Sequence, residues 1–118
     1  MTARQARFLA DEVMTDWHVK DLHKNEFGGG FEWFGAIGSA GMCWHCWDPS
    51  TSETDCAELL RAVASDKRDA VCSNLRQISD GPMYWFFLTA TPAQITESVL
   101  AAYGYKEEED GTKPAAAR

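Results

Sequence analysis

The pattern of apolar and polar positions at the start of the chain predicts an amphipathic helix. Over residues 3–17, apolar residues recur every three or four positions, as on one face of a helix, and charged residues fill most of the positions between them. The apolar positions are Ala6, Leu9, Val13 and Trp17. We therefore expect a first helix over residues 3–17.

Two segments rich in aromatic residues follow and predict a β-hairpin. Residues 31–37 and 42–47 are strand-like, and a Gly-Ser-Ala-Gly turn separates them. Because side chains alternate along a strand, the second segment would divide its residues between two faces of the sheet. One face would carry Met42, Trp44 and Cys46, and the other Cys43, His45 and Trp47.

A second helix is expected after this hairpin, and its start has two candidate caps. Ser50 with Glu53 forms a capping box, and Ser52 with Asp55 offers a competing register for the same start. The helix would run to about residue 64. Its buried positions would be Cys56, Leu59, Leu60 and Val63.

The second half of the chain predicts another hairpin and a third helix. Residues 70–78 and 83–88 have the pattern of strands on either side of a Ser-Asp-Gly-Pro turn. The second of them is the most apolar segment and is expected to be the central strand. Thr91-Pro92 with Gln94 is typical of a helix start, and Gly104 suits the helix end.

This order of elements, α-β-β-α-β-β-α, predicts an α+β fold. Two hairpins would join into an antiparallel β-sheet of about four strands, with three helices packed on one or both of its faces. A further strand around Val19 and Leu22 has only a weak signal. Residues 1–105 form one predicted domain, and the charged residues 106–118 are expected to form a mobile tail.

Charge and hydropathy narrow the classes of function. The chain has 118 residues and a net charge of -7, so we do not expect it to bind duplex nucleic acid through the phosphates. No apolar segment approaches the roughly 20 residues of a membrane helix, and the first residues lack the apolar region of a signal peptide. We therefore expect a cytoplasmic protein with its 4 cysteines reduced and no association with a membrane.

Several short motifs resemble those of the phage ABA-sandwich domain, a family that includes the NinX-like phage proteins. The motifs are Leu9-Ala10-Asp11-Glu12-Val13-Met14 with Trp17, then Trp47-Asp48-Pro49-Ser50-Thr51, then Thr89-Ala90-Thr91-Pro92-Ala93 leading into Leu100-Ala101-Ala102. The resemblance spans residues 7–104. It departs from the family at Met14-Thr15-Asp16-Trp17, where the family usually has Met-Gly-Trp.

The resemblance implies an antiparallel sheet between helices on its two faces. It also implies a phage accessory protein made in the cytoplasm of a bacterial host cell. The family has no settled activity and supplies no catalytic residues. Small phage proteins of this kind often bind host factors, including antiviral defence systems, so the resemblance implies a host factor as the partner.

Cys43, His45 and Cys46 are candidate metal ligands. Zinc accepts cysteine and histidine, and a C-x-x-C segment can supply two of the four ligands of a structural site. Cys56 or Cys72 would have to complete the site, but neither belongs to a second C-x-x-C pair. On a regular strand the two cysteines of the motif face opposite ways, so we favour partly buried thiols and no cofactor.

A cysteine nucleophile is the other chemistry that this segment suggests. Cys43 and His45 would share one strand face, but the sequence identifies no acid to orient the histidine and no oxyanion donor. We therefore assign no catalytic residue and expect no enzymatic activity.

Aromatic residues offer candidate binding positions. They fall on segments that we expect to be neighbouring strands, and two arginines could add phosphate contacts. The candidates are Trp33, Trp44, Trp47, Tyr84 and Trp85, with Arg68 and Arg76. For each ring the alternative is a place in the hydrophobic core.

We predict a non-enzymatic phage accessory protein that binds a host protein or protein complex and inhibits an antiviral defence system by occlusion, as anti-CRISPR proteins do. The acidic chain, including Glu107-Glu108-Glu109-Asp110, suits a basic partner. Two alternatives stay open: a protein that binds or sequesters a small nucleotide such as a cyclic nucleotide signal, and a small zinc-stabilised domain. Aromatic strands at a sheet edge would also be compatible with a homodimer.

Overall fold

The structure is a computed structural model that describes residues 1–78 and 85–107. In these residues helices precede and follow a three-stranded antiparallel sheet, so the α+β class is confirmed. The strands are β1 (Trp17–Lys24), β2 (Phe31–Ile37) and β3 (Cys43–Trp47). The helices are α1 (Ala3–Glu12), α2 (Glu53–Ala62), α3 (Arg68–Ile78), α4 (Trp85–Thr89) and α5 (Pro92–Ala102), with a 3-10 turn at Ser65–Lys67.

Helix α1 is shorter than its apolar pattern predicts. It begins at a capping box in which Thr2 and Gln5 each accept a hydrogen bond from the other's backbone N–H. It ends at Glu12, because the N–H groups of the next two residues both donate to the carbonyl of Leu9. Trp17, which the pattern placed on the helix, is the first residue of β1.

The sheet has the strand order β1-β2-β3. The predicted hairpin is confirmed as β2 and β3, in which Phe31 pairs with Trp47. Strand β1 pairs with β2, but the register shifts between Val19 and Asp21. Such an irregularity interrupts the alternation of side chains along a strand, which explains why this strand had only a weak sequence signal.

Helix α2 uses the second of its two candidate caps. The hydroxyl of Ser52 accepts a hydrogen bond from the N–H of Asp55. Ser50 instead donates its hydroxyl to Asp48 before the helix begins. The helix ends within two residues of the predicted position, and Leu60, predicted to be buried, lies on its exposed side.

The predicted second hairpin is wrong wherever the structure describes it. Residues 70–78 belong to helix α3, in which Val71 and Leu75 are buried one turn apart. The segment predicted as the central strand begins outside the described residues, as does its turn, and continues as the short helix α4. The described chain therefore has three strands and not about four, in the order α-β-β-β followed by helices.

Helix α5 begins as its sequence predicts. Thr91 and Gln94 form a capping box, and Pro92 takes the first helical position. Gly104 follows the helix with a φ of 79°, a conformation that glycine adopts without strain. The end of the chain beyond residue 107, including most of the predicted tail, lies outside the described residues.

One hydrophobic core joins α1, α2, α3 and α5 to a single face of the sheet, which we call the inner face. Its buried members include Leu9 and Val13 near α1, Phe31, Trp33 and Trp47 on the strands, Leu59 and Val63 near α2, Val71 on α3, and Val99 and Leu100 on α5. The large side chains of the opposite, outer face are exposed or half-buried. In the described residues α1, α2, α3 and α5 thus pack on one face, whereas the resemblance implies helices on both.

Candidate functional site

The pairing of β2 with β3 decides which candidate residues face the core. Trp33 lies opposite His45, and Phe34 lies opposite Trp44. Successive side chains of a strand point to opposite faces, so the first pair lies on the inner face and the second on the outer face. This division agrees with the predicted alternation of residues 42–47.

The inner face carries a stack of aromatic rings. The Trp17 and Trp33 rings are stacked at 4.3 Å, and Trp33 is stacked on His45 at 4.1 Å. Trp47 meets the edge of Trp17 at 4.8 Å. Trp33 is only 1% exposed and Trp47 only 3%, so both rings belong to the core and offer no surface to a ligand.

Trp44 has the opposite environment, on the outer face. Its ring lies 5.2 Å from that of Phe34 and 5.5 Å from that of His23, measured between centroids. Trp44 is nevertheless 53% exposed. The three rings therefore form an aromatic surface that solvent or a partner can reach.

Carboxylates flank this aromatic surface. The His23 ring is 3.2 Å from Glu32 through Nε2 and 3.7 Å from Asp21 through Nδ1. All three side chains are at least a third exposed. The register places these residues on the outer face, together with Cys46 opposite Glu32. We call this set the outer aromatic surface: Asp21, His23, Glu32, Phe34, Trp44 and Cys46.

The remaining candidate residues lie apart from this surface. Trp85 is on α4 and 51% exposed, and Tyr84 lies outside the described residues. Arg68 and Arg76 are on α3, which packs mainly against α5. Arg68 donates a hydrogen bond to the carbonyl of Val63. In the described part of the chain the rings beside Trp44 are those of His23 and Phe34, so the predicted combination of rings and arginines is not seen there.

Cys43 and His45 lie side by side on the inner face of β3, at the edge of the sheet. Cys43 Sγ is 3.3 Å from His45 Nε2, and Cys43 is exposed. Cys46 is on the other face, so the predicted trio does not converge on one point. Within residues 1–78 and 85–107, no three histidine, cysteine, aspartate or glutamate side chains are grouped so as to hold one metal ion.

A groove beside the triple-glycine loop is explained by helix capping. The groove is lined by Gly28–Gly30, Asp48 and Asp55 among others. The Asp48 carboxylate accepts hydrogen bonds from Ser50 and Thr51, and the Asp55 carboxylate accepts one from the backbone N–H of Asp48. These carboxylates therefore order the chain before α2, and we assign them no ligand.

The neighbours of Trp44 on the outer face are not evident from the sequence pattern. Asp21 and His23 belong to β1, whose alternation is interrupted by the register shift, and this concealed their place beside the hairpin. Glu32 and Phe34 were visible as the outward positions of β2, because they alternate with buried Phe31 and Trp33. That alternation was the available signal for an exposed aromatic face.

Comparison with known proteins gave no match to a protein-family model, a curated protein or a solved structure. No helix in the described ranges is both long enough and apolar enough to cross a membrane.

Proposed function

We propose that this protein is a non-enzymatic binding protein whose outer aromatic surface docks onto a basic surface of a partner protein. The observation that carries this proposal is the 53% exposure of Trp44 on the outer face of edge strand β3, beside the rings of Phe34 and His23. A tryptophan in this position adds little to the core. Exposed tryptophans among aromatic neighbours are typical of the residues that dominate binding energy at interfaces.

The charges around Trp44 support a basic partner. Asp21 and Glu32 place carboxylates beside the rings, and the whole chain has a net charge of -7. An arginine side chain can stack on an indole ring while it donates hydrogen bonds to a carboxylate. Complementary charge also speeds association and selects partners. We therefore expect arginine or lysine side chains of the partner at this surface.

In the setting that the family resemblance implies, the partner is a host protein or protein complex of an infected bacterium. Docking of an acidic surface would occlude a groove that normally binds nucleic acid, and so would inhibit an antiviral defence system. This mechanism needs no catalytic residue and no cofactor.

Binding of a small nucleotide has less support. Trp44 could stack on a base, but the groups beside it are carboxylates, which repel phosphate. A thermal-shift panel of linear and cyclic nucleotides decides between the two functions. Stabilisation near the roughly 2.7 kcal/mol expected for a ligand at 100 times its dissociation constant would overturn our proposal.

Capture from bacterial lysate with matched variants tests the proposed function. Trp44→Ser removes the ring at the centre of the surface, and Trp85→Ser removes an equally exposed ring elsewhere (53% against 51%). We expect a specific protein to be retained by the wild type and by Trp85→Ser, lost with Trp44→Ser, and released as salt is raised. Equal retention by the two variants would contradict the assignment of this surface.

A further inference from the structure

We propose that Cys43 and His45 form one half of a zinc site, and that a second copy of this chain supplies the other half. The site would have two cysteine and two histidine ligands, across a pair of β3 strands. This inference concerns the edge and the inner face of the sheet, and it does not depend on partner binding at the outer aromatic surface.

The distance between the two side chains matches a pair of zinc ligands. Typical Zn–S and Zn–N bonds of about 2.3 and 2.0 Å, with a tetrahedral angle between them, put sulfur and nitrogen about 3.5 Å apart. In the structure Cys43 Sγ and His45 Nε2 are 3.3 Å apart. The ring of His45 is held in place by stacking on buried Trp33 at 4.1 Å, so half of a tetrahedron is already formed.

The same chain does not complete the tetrahedron within the described residues. No group of three or more possible ligands is found there, and Cys46 lies on the opposite face of β3. A structural zinc site takes four ligands. A two-fold axis beside Cys43 and His45 would bring the same two residues of a second copy to the site and so supply four ligands.

The edge of β3 is suited to pairing with another strand. In the described sheet β3 pairs only with β2, which leaves its other edge without a strand. Edge strands are usually protected from pairing by charged residues. β1, at the opposite edge, carries Lys20, Asp21 and Lys24, whereas Cys43–Trp47 contains no lysine, arginine, aspartate or glutamate.

One antiparallel register brings the two halves together. If two β3 strands pair about an axis at Trp44, Cys43 of each copy lies opposite His45 of the second copy. All four ligands then share the inner face. The two Trp44 side chains meet on the outer face, as a cross-strand aromatic pair, and the two outer aromatic surfaces become adjacent.

Charge makes this association depend on the metal. Each chain has a net charge of -7, so two copies repel each other when no metal is present. On zinc binding each Cys43 thiol releases its proton to solvent, and the resulting thiolates and the neutral imidazoles coordinate the ion. We therefore expect a monomer without zinc and a dimer with it.

Native mass spectrometry of tag-free, reduced protein tests this inference, before and after addition of zinc chloride. We expect one zinc ion per two chains, and return to the monomer with a chelator. Zinc bound one to one on a monomer, or no zinc bound, would overturn the proposal. So would a dimer that resists chelator and is dissolved by a reducing agent, since that behaviour identifies a disulfide.

Three variants assign the ligands. Cys43→Ser and His45→Gln should lose both the zinc and the dimer, whereas Cys46→Ser, which changes an exposed thiol on the other face, should keep both. Because His45 packs on Trp33, His45→Gln could also disturb folding, so thermal melts without metal check that each variant is folded. Cys43 is exposed, so Cys43→Ser removes a ligand without disturbing the packing on Trp33. Retention of the dimer by Cys43→Ser, or its loss in Cys46→Ser, would refute this ligand set.

Discussion

Replacing Gly35 by alanine tests the close approach of β1 to β2 in the middle of the sheet. Gly35 is buried in the middle of β2, between β1 and β3. A Cβ atom there would lie 2.1 Å from the carbonyl oxygen of His18, against an ordinary C···O contact of about 3.3 Å. The obstacle is backbone and cannot rotate away, so β1 or β2 has to move by about 1 Å.

Overpacking of a well-packed core costs about 1–3 kcal/mol, and a clash with backbone belongs at the upper end of that range. With a urea m-value of about 1.5 kcal/mol/M, a loss of about 3 kcal/mol lowers the unfolding midpoint by about 2 M. Gly41→Ala is the matched control, because nothing lies within 4 Å of a Cβ at Gly41. It should leave the midpoint unchanged or raise it slightly. An unchanged midpoint for Gly35→Ala would refute the close approach of β1 and β2.

Three further predictions concern single residues. Ser52→Ala should cost about 1 kcal/mol in urea unfolding, since it removes the cap of α2, and a cost near zero would favour the other cap. Trp33→Ala should cost about 3–5 kcal/mol by the same assay, whereas Trp44→Ser should stay within about 0.5 kcal/mol of wild type. A thiol reagent should modify the three exposed cysteines first and Cys56 only on unfolding, because burial excludes the reagent and raises the pKa of that thiol. The folded state thus binds the Cys56 proton more tightly than the unfolded chain does. The contribution of this thiol to the free energy of unfolding is therefore fully present below the ordinary thiol pKa, and it is lost as pH rises through the raised pKa. Equal labelling rates for all four thiols would contradict the burial of Cys56.

Local sequence patterns correctly predicted the elements that are defined by residues close together in the chain. Thr91 and Gln94 cap α5 within one turn, and the aromatic segments 31–37 and 42–47 on either side of a Gly-Ser-Ala-Gly turn are enough to define a hairpin. Both features depend on contacts between residues that are close in sequence, and both were read correctly.

Residues 70–78 were wrongly predicted as a strand because their apolar positions fit both the two-residue period of a strand and the period of a helix. Val71 and Leu75 lie on one side of a strand and also on one side of a helix, since a spacing of four fits both. Distant contacts decide between them: α3 packs against α5, and the Asn74 side chain donates to the carbonyl of Ser98. Such contacts are not visible in the local pattern.

The candidate site was predicted only in part, for a similar reason. Strand alternation separates Trp44 from Trp47, but it does not say which face the helices cover. That choice depends on how α1, α2, α3 and α5 combine into one core with Phe31 and Trp33. Trp33 and Trp47 lie on the inner face, which the helices cover, and are buried in the core. Trp44 lies on the outer face and is exposed.

The affinity of the captured partner for three proteins shows whether the outer aromatic surface binds that partner. Calorimetry with the wild type, Trp44→Ser and Trp85→Ser compares two exposed tryptophans of which one lies on the outer aromatic surface. A central interface tryptophan contributes about 2 kcal/mol or more. We therefore expect the dissociation constant to rise about 30-fold or more for Trp44→Ser and to stay unchanged for Trp85→Ser. An unchanged affinity for Trp44→Ser would contradict the proposal that the outer face of the sheet binds the partner.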